Sequence, residues 1–144
     1  MAEIELKVTD TPDPADRDVI LKGILAAGEA VAGPANPRPL VIPVRSADGT
    51  RVEGGLWGRT SWHWLIVELL FLPESRRGTG LGTKLMLLAE EEAVRRQCRG
   101  IWLDTFSFQA RPFYEGLGFT CFGTIEAFMP GHDRFFMMKR LVQA

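Results

Sequence analysis

The chain has 144 residues, 46% of them hydrophobic and 24% charged, with a formal net charge of −1. That length suits a single domain over residues 1–144, large enough to hold one core without metal or disulfide staples. The balance excludes a disordered chain, and the near-zero charge argues against a nucleic-acid partner.

Cys98 and Cys121 are isolated, without CxxC spacing and beside only two His, so no metal site is expected and both read as reduced thiols of a cytoplasmic protein. Residues 1–7 lack the basic start and apolar run of a signal peptide. The longest strongly apolar stretch, residues 62–72, is broken by His63 and Glu68 and is too short to span a bilayer.

In chain order, residues 3–8 alternate apolar and polar side chains and predict a first strand. Thr11-Pro12-Asp13-Pro14 breaks it and supplies capping groups. Residues 15–32 then carry Val19, Ile20, Gly23, Ile24 and Ala27 at helical spacing. The proline-rich connection over 33–39 cannot continue a helix. Residues 40–46 and 51–59 predict two strands joined by an Ala47-Asp48-Gly49-Thr50 turn.

Residues 62–72 predict a long strand covered on both faces, with Glu68 its polar exception. A basic, glycine-rich turn over 73–82 leads into an amphipathic helix running to about residue 97. Its Leu81, Leu85, Leu88 and Val94 are expected to face inward, with Glu91–Arg95 and Glu92–Arg96 as i,i+4 pairs on the wet side. Gly100 is expected to close that helix. Residues 101–106 predict a second buried strand, 109–118 a short helix ending in Gly, and 119–128 and 134–141 two further strands. This order gives an α/β (α+β) fold with a mixed, mostly antiparallel sheet of six or seven strands and helices on its faces.

The stretch richest in chemistry is Leu70-Phe71-Leu72-Pro73-Glu74-Ser75-Arg76-Arg77-Gly78-Thr79-Gly80-Leu81-Gly82-Thr83-Lys84. A buried strand enters three alternate glycines, which then open a helix. Backbone without Cβ atoms approaches a large anion closely, and the helix start adds unpaired N–H groups and the positive dipole end. Arg76, Arg77 and Lys84 add charge, so the stretch reads as a pyrophosphate cradle. The order Gly82-Thr83-Lys84 does not fit a nucleoside-triphosphate P-loop, and GxGxG in mid-chain does not fit a dinucleotide-binding turn.

Arg77-Gly78-Thr79-Gly80-Leu81-Gly82 after a strand, with Phe113-Tyr114-Glu115-Gly116-Leu117-Gly118-Phe119 downstream, resembles the GCN5-related N-acetyltransferases (GNAT), and the element order agrees over nearly the whole chain. The resemblance implies acetyl-CoA as co-substrate and an amine as acceptor. It implies that the N–H groups of residues 77–83 hold the pyrophosphate, and that pantetheine pairs with strand residues Leu70, Phe71 and Leu72 where two central strands splay. An Asn that often follows the second strand is replaced by Ser107 and Gln109, either of which could substitute, and Phe113 and Tyr114 sit beside the cofactor. Tyr114, the only Tyr, stands at the family's usual proton-donor position. Small domains of this kind also pair as homodimers.

An alkyl amine is mostly protonated at neutral pH, so its attack on a thioester needs a proton acceptor. Glu68, a carboxylate within an apolar strand, is either that base or a structural hydrogen-bond partner. His63 reads as ordinary, and His132 as a turn residue, a substrate contact or a base. Trp57, Trp62, Trp64, Phe106, Phe108 and Phe113 are expected to be mainly core, with one or two left to wall an acceptor pocket. Direct transfer of acetyl to a small amine or peptide end is the leading reading. The alternatives are a non-catalytic acyl-CoA-binding module and a transferase acting on a macromolecule.

Overall fold

The computed structural model describes residues 3–141. Residues up to Ala35 form one unit and those from Asn36 onward another. In the first unit, Asp13 caps helix α1 (Pro14–Ala32) by accepting the Ala15 N–H at 2.9 Å, and Gly33 ends it at φ +80°. The strand expected over residues 3–8 does not form. Alternation alone does not make a strand, which needs a neighbouring backbone to complete its ladder, and none pairs there.

The second unit is built on one six-stranded sheet in the order β1-β2-β3-β4-β6-β5. Strands β1 (Arg38–Arg45) and β2 (Val52–Ser61) form the expected hairpin, whose turn is held by the Asp48 carboxylate accepting the Thr50 N–H at 3.0 Å. Trp62 and His63, both at positive φ, turn the chain into β3 (Trp64–Phe71). Strand β4 (Gly100–Phe106) lies parallel to β3, and every other pairing is antiparallel, including that of β5 (Thr120–Met129) with β6 (His132–Arg140). Only Pro130 and Gly131 separate those last two strands.

Helix α2 (Leu81–Arg95) and the short α3 (Arg111–Gly116) share one core with the sheet, around Leu65, Val67, Ile101, Leu103 and Met137. The buried face of α2 is Leu85, Met86, Ala89 and Ala93. Leu88 and Val94, expected inside, are exposed, because small Ala89 and Ala93 bring the helix close to the strands on a neighbouring stripe. Glu92 takes both Arg96 and Arg95, leaving Glu91 outside the pair expected for it.

Gly100 does not close α2. The chain leaves the helix through Arg96 and Gln97, the latter in the left-handed region at φ +62°. Gly100 is instead the first residue of β4, and the Trp64 indole lies against it where a Cβ would collide. The short helix is also briefer than the span 109–118. Strand β3 is covered on both faces only in its first half, since Leu69 and Phe71 are exposed.

Candidate active site

The pairing of β3 with β4 stops early. Trp64–Gly100, Leu65–Ile101, Ile66–Trp102 and Val67–Leu103 are in register, and beyond them the two strands part. The ladder between β2 and β3 slips at the same place, because Trp57 faces Leu69 while Gly58 faces Val67. Glu68 is therefore the extra residue of a β-bulge, a device that bends a strand and redirects its side chains. The splay expected between the central strands is present, and it begins at Glu68 and Asp104.

Beyond Phe71 the chain makes a single 3₁₀ turn, Glu74–Arg76, and enters the glycines. Gly78 and Gly80 adopt φ +73° and +81°, the left-handed conformation that a side chain makes costly, and Gly80 is the N-cap of α2. Lys84 is the first residue whose N–H finds the helix ladder, donating to the Gly80 carbonyl at 3.1 Å. The N–H groups of residues 81–83 thus point out of the helix start.

One cavity of about 820 Å³ joins the helix start to the parted strands. Of the residues the sequence nominated, Glu68, Leu70, Phe71, Leu72, Arg76, Arg77, Gly78, Gly80, Gly82, Thr83, Gln109, Phe113 and Tyr114 line it. Thr79, Leu81, Lys84 and Ser107 do not. Thr79 turns its hydroxyl to the Arg76 carbonyl at 2.8 Å, and Ser107 accepts the Asp133 N–H at 3.1 Å, tying β4 to the β5–β6 hairpin. Gln109 lines the cavity with its Oε1 accepting the Phe106 N–H at 2.9 Å and the Thr105 hydroxyl at 3.2 Å.

The two arginines differ in their commitments. Arg76 is tied to Glu53 at 3.2 Å, whereas Arg77 donates through Nε to the Leu72 carbonyl at 2.9 Å and lies near the Phe71 ring. Glu68 is ion-paired with Arg59 of β2. Tyr114 is buried, edge-on to Phe113 and Phe119, and its hydroxyl is pushed up to about 12, first by burial and then by the negative charge of Asp104.

Sequence reasoning overlooked Asp104. It lines the cavity, and Arg134 donates to its Oδ2 from Nε at 2.8 Å, and a terminal nitrogen of the same guanidinium stands 2.7 Å from that oxygen. The signal was available, because Asp104 interrupts the apolar β4 as Glu68 interrupts β3. His63 and His132 lie outside the cavity lining. The former bonds the Gln97 carbonyl through Nδ1 at 3.1 Å, and the latter is edge-on to Phe108. Trp57, Trp62 and Trp64 do not line the cavity, whereas Phe106 and Phe113 do.

Parted strands running into a glycine-opened helix are the frame the sequence resemblance implied, and the chain matches the profile of the Acetyltransferase (GNAT) family over residues 25–119. The chain belongs to the GNAT family of acetyltransferases. Among GNAT proteins it is 38% identical over 133 residues to Acetyltransferase Atu2258 of Agrobacterium fabrum, covering 92% of this chain and 96% of that one. It is 37% identical over 107 residues to the blasticidin-S acetyltransferase of Streptomyces morookaense, covering 72% and 79% respectively. A crystal structure of a protein from Agrobacterium tumefaciens superposes with a TM-score of 0.88 at 36% identity, over 96% of this chain and 100% of that one.

Proposed function

We propose that this GNAT enzyme transfers acetyl from acetyl-CoA to a primary amine of a small molecule or peptide by direct attack, acting as one domain in the cytoplasm. The observation that carries the reading is the continuity of one cavity from the helix start, through the strand parting, to Tyr114. Its residues fit the co-substrate. The N–H groups of residues 81–83 and the guanidinium of Arg77 suit a pyrophosphate, and apart from the adjoining residues nothing lies within 4 Å of where a Cβ on Gly78 or Gly80 would stand. Backbone edges of β3 beyond Val67 suit the amides of an extended pantetheine. That a 37%-identical relative is a blasticidin-S acetyltransferase supports a small-molecule acceptor. Among the described residues no helix is long and apolar enough to cross a membrane.

Acetyl-CoA supplies the acyl group activated as a thioester. Glu68 takes the proton that the amine nitrogen sheds as the N–C bond forms and the C–S bond breaks. Tyr114 donates a hydrogen bond to the departing sulfur. A phenol at about 12 is a weaker acid than an alkyl thiol near about 8.5, so full proton transfer would be uphill. What Tyr114 contributes is therefore a charge-assisted hydrogen bond to the developing thiolate, with the last proton coming from solvent.

Calorimetric titration with acetyl-CoA, with Gly80→Glu as control, tests the reading. Saturable micromolar binding is expected, lost in the variant because a side chain at φ +81° strains the turn and its charge opposes the phosphates. Release of CoA thiol on adding primary amines should follow. Absence of acetyl-CoA binding would overturn the assignment, and binding without turnover on any amine would favour an acyl-CoA-binding module.

A further inference from the structure

Where β3 and β4 part, the next residue on each strand is a carboxylate, Glu68 on one side and Asp104 on the other. Both line the cavity, and each is held from outside by an arginine of the adjacent strand, Arg59 on β2 and Arg134 on β6. The hold on Asp104 is one-sided, since both nitrogens of Arg134 meet Oδ2. No described residue bonds Oδ1, which leaves its lone pairs available. Arg134 is itself fixed, with its guanidinium carbon 5.4, 5.0 and 5.4 Å from the ring centres of Phe106, Phe128 and Phe136. A carboxylate so anchored loses little freedom on accepting one more hydrogen bond.

We propose that Asp104 is an acceptor-binding residue of this transferase, taking one N–H of the incoming amine through Oδ1 while Glu68 takes the other. The inference rests on the amine-transfer reading and adds a substrate rule to it. A primary amine in its reactive, neutral form has two N–H bonds and one lone pair. With each N–H on one carboxylate of the parted strands, the lone pair is left for the thioester carbon. A secondary amine can satisfy only one carboxylate and leaves the other desolvated without a partner.

The test uses n-butylamine, benzylamine and 1,4-diaminobutane beside their N-methyl counterparts, reading thiol release from acetyl-CoA. Asp104→Asn is isosteric, but beside Arg134 the amide turns its oxygen to the guanidinium and its NH₂ to the acceptor. The KM for primary amines should rise about ten- to a hundredfold. The preference for primary over N-methyl amines should shrink, and acetyl-CoA affinity should stay as in the wild type. If Asp104→Asn fails to bind acetyl-CoA, Asp104→Glu carries the test, since it keeps the charge and displaces the oxygen. An active wild type whose variant keeps its amine KM and its preference would overturn the proposal alone. A wild type that binds acetyl-CoA but consumes no primary amine would remove it together with the transfer reading.

Discussion

Because Tyr114 is the only tyrosine in the chain, tyrosinate absorbance reports on that one hydroxyl. An exposed phenol ionises near about 10, whereas Tyr114 is pushed up to about 12, first by burial and then by Asp104. The difference is about a hundredfold in proton affinity, or about 3 kcal/mol. Between these two values the unfolded chain has lost the proton and the native chain keeps it. The native state then binds more protons, so stability falls as pH rises through that window, by up to about 3 kcal/mol, and is unaffected below it. A spectrophotometric titration, with far-UV circular dichroism reporting the fold, should show no tyrosinate near pH 10 while the spectrum stays native. Tyr114→Phe should abolish the signal and flatten the alkaline fall in urea-unfolding stability. A midpoint near 10 in a chain that is still folded would refute the burial argument, and with it the case for a hydrogen-bond donor that stays protonated throughout the neutral range.

The same Tyr114→Phe substitution should lower kcat about a hundred- to a thousandfold with acetyl-CoA affinity retained, as for loss of one donor to a developing anion. Steady-state kinetics with titration calorimetry would show it, and an unchanged kcat would end that role for Tyr114. Gly100→Ala should destabilise the fold by about 1–3 kcal/mol through collision with the Trp64 indole and the Lys139 backbone carbonyl. Urea denaturation measures this, and no change would mean that both the indole and the β6 backbone at Lys139 give way freely.

Local signals carried much of this structure. The Asp48-Gly49 turn, the Asp13 cap, the glycine triplet before α2 and the apolar run of β4 are each written within a few neighbouring residues. What escaped depended on partners far along the chain. Residues 3–8 alternate as a strand should, yet no backbone answers them. Gly100 looked like a helix stop because glycines often end helices, whereas its role is set by Trp64, thirty-six positions earlier. Leu88 and Val94 are as apolar as the residues α2 buries, and only the close approach allowed by Ala89 and Ala93 decides which stripe faces the sheet. In the site, the glycine-opened helix start and the place of Tyr114 beside the cavity could be read from motifs. Asp104 could be valued only once its one-sided hold by Arg134, a contact across thirty residues, was seen.

The short ladder between β3 and β4 has a consequence for the protein's endurance. Four register pairs join the half-sheet β1-β2-β3 to the half-sheet β4-β6-β5 along that seam, where the other strand pairs keep contact over most of their length. A pantetheine arm laid along the seam would act as a keystone, adding a second brace, beyond the shared core, where the two strands part. Ligand at a hundred times its dissociation constant adds about 2.7 kcal/mol to the folded state. The lifetime of this enzyme would then follow the acyl-CoA supply of its cell, with well-charged pools preserving it and depleted pools exposing it to unfolding and proteolysis.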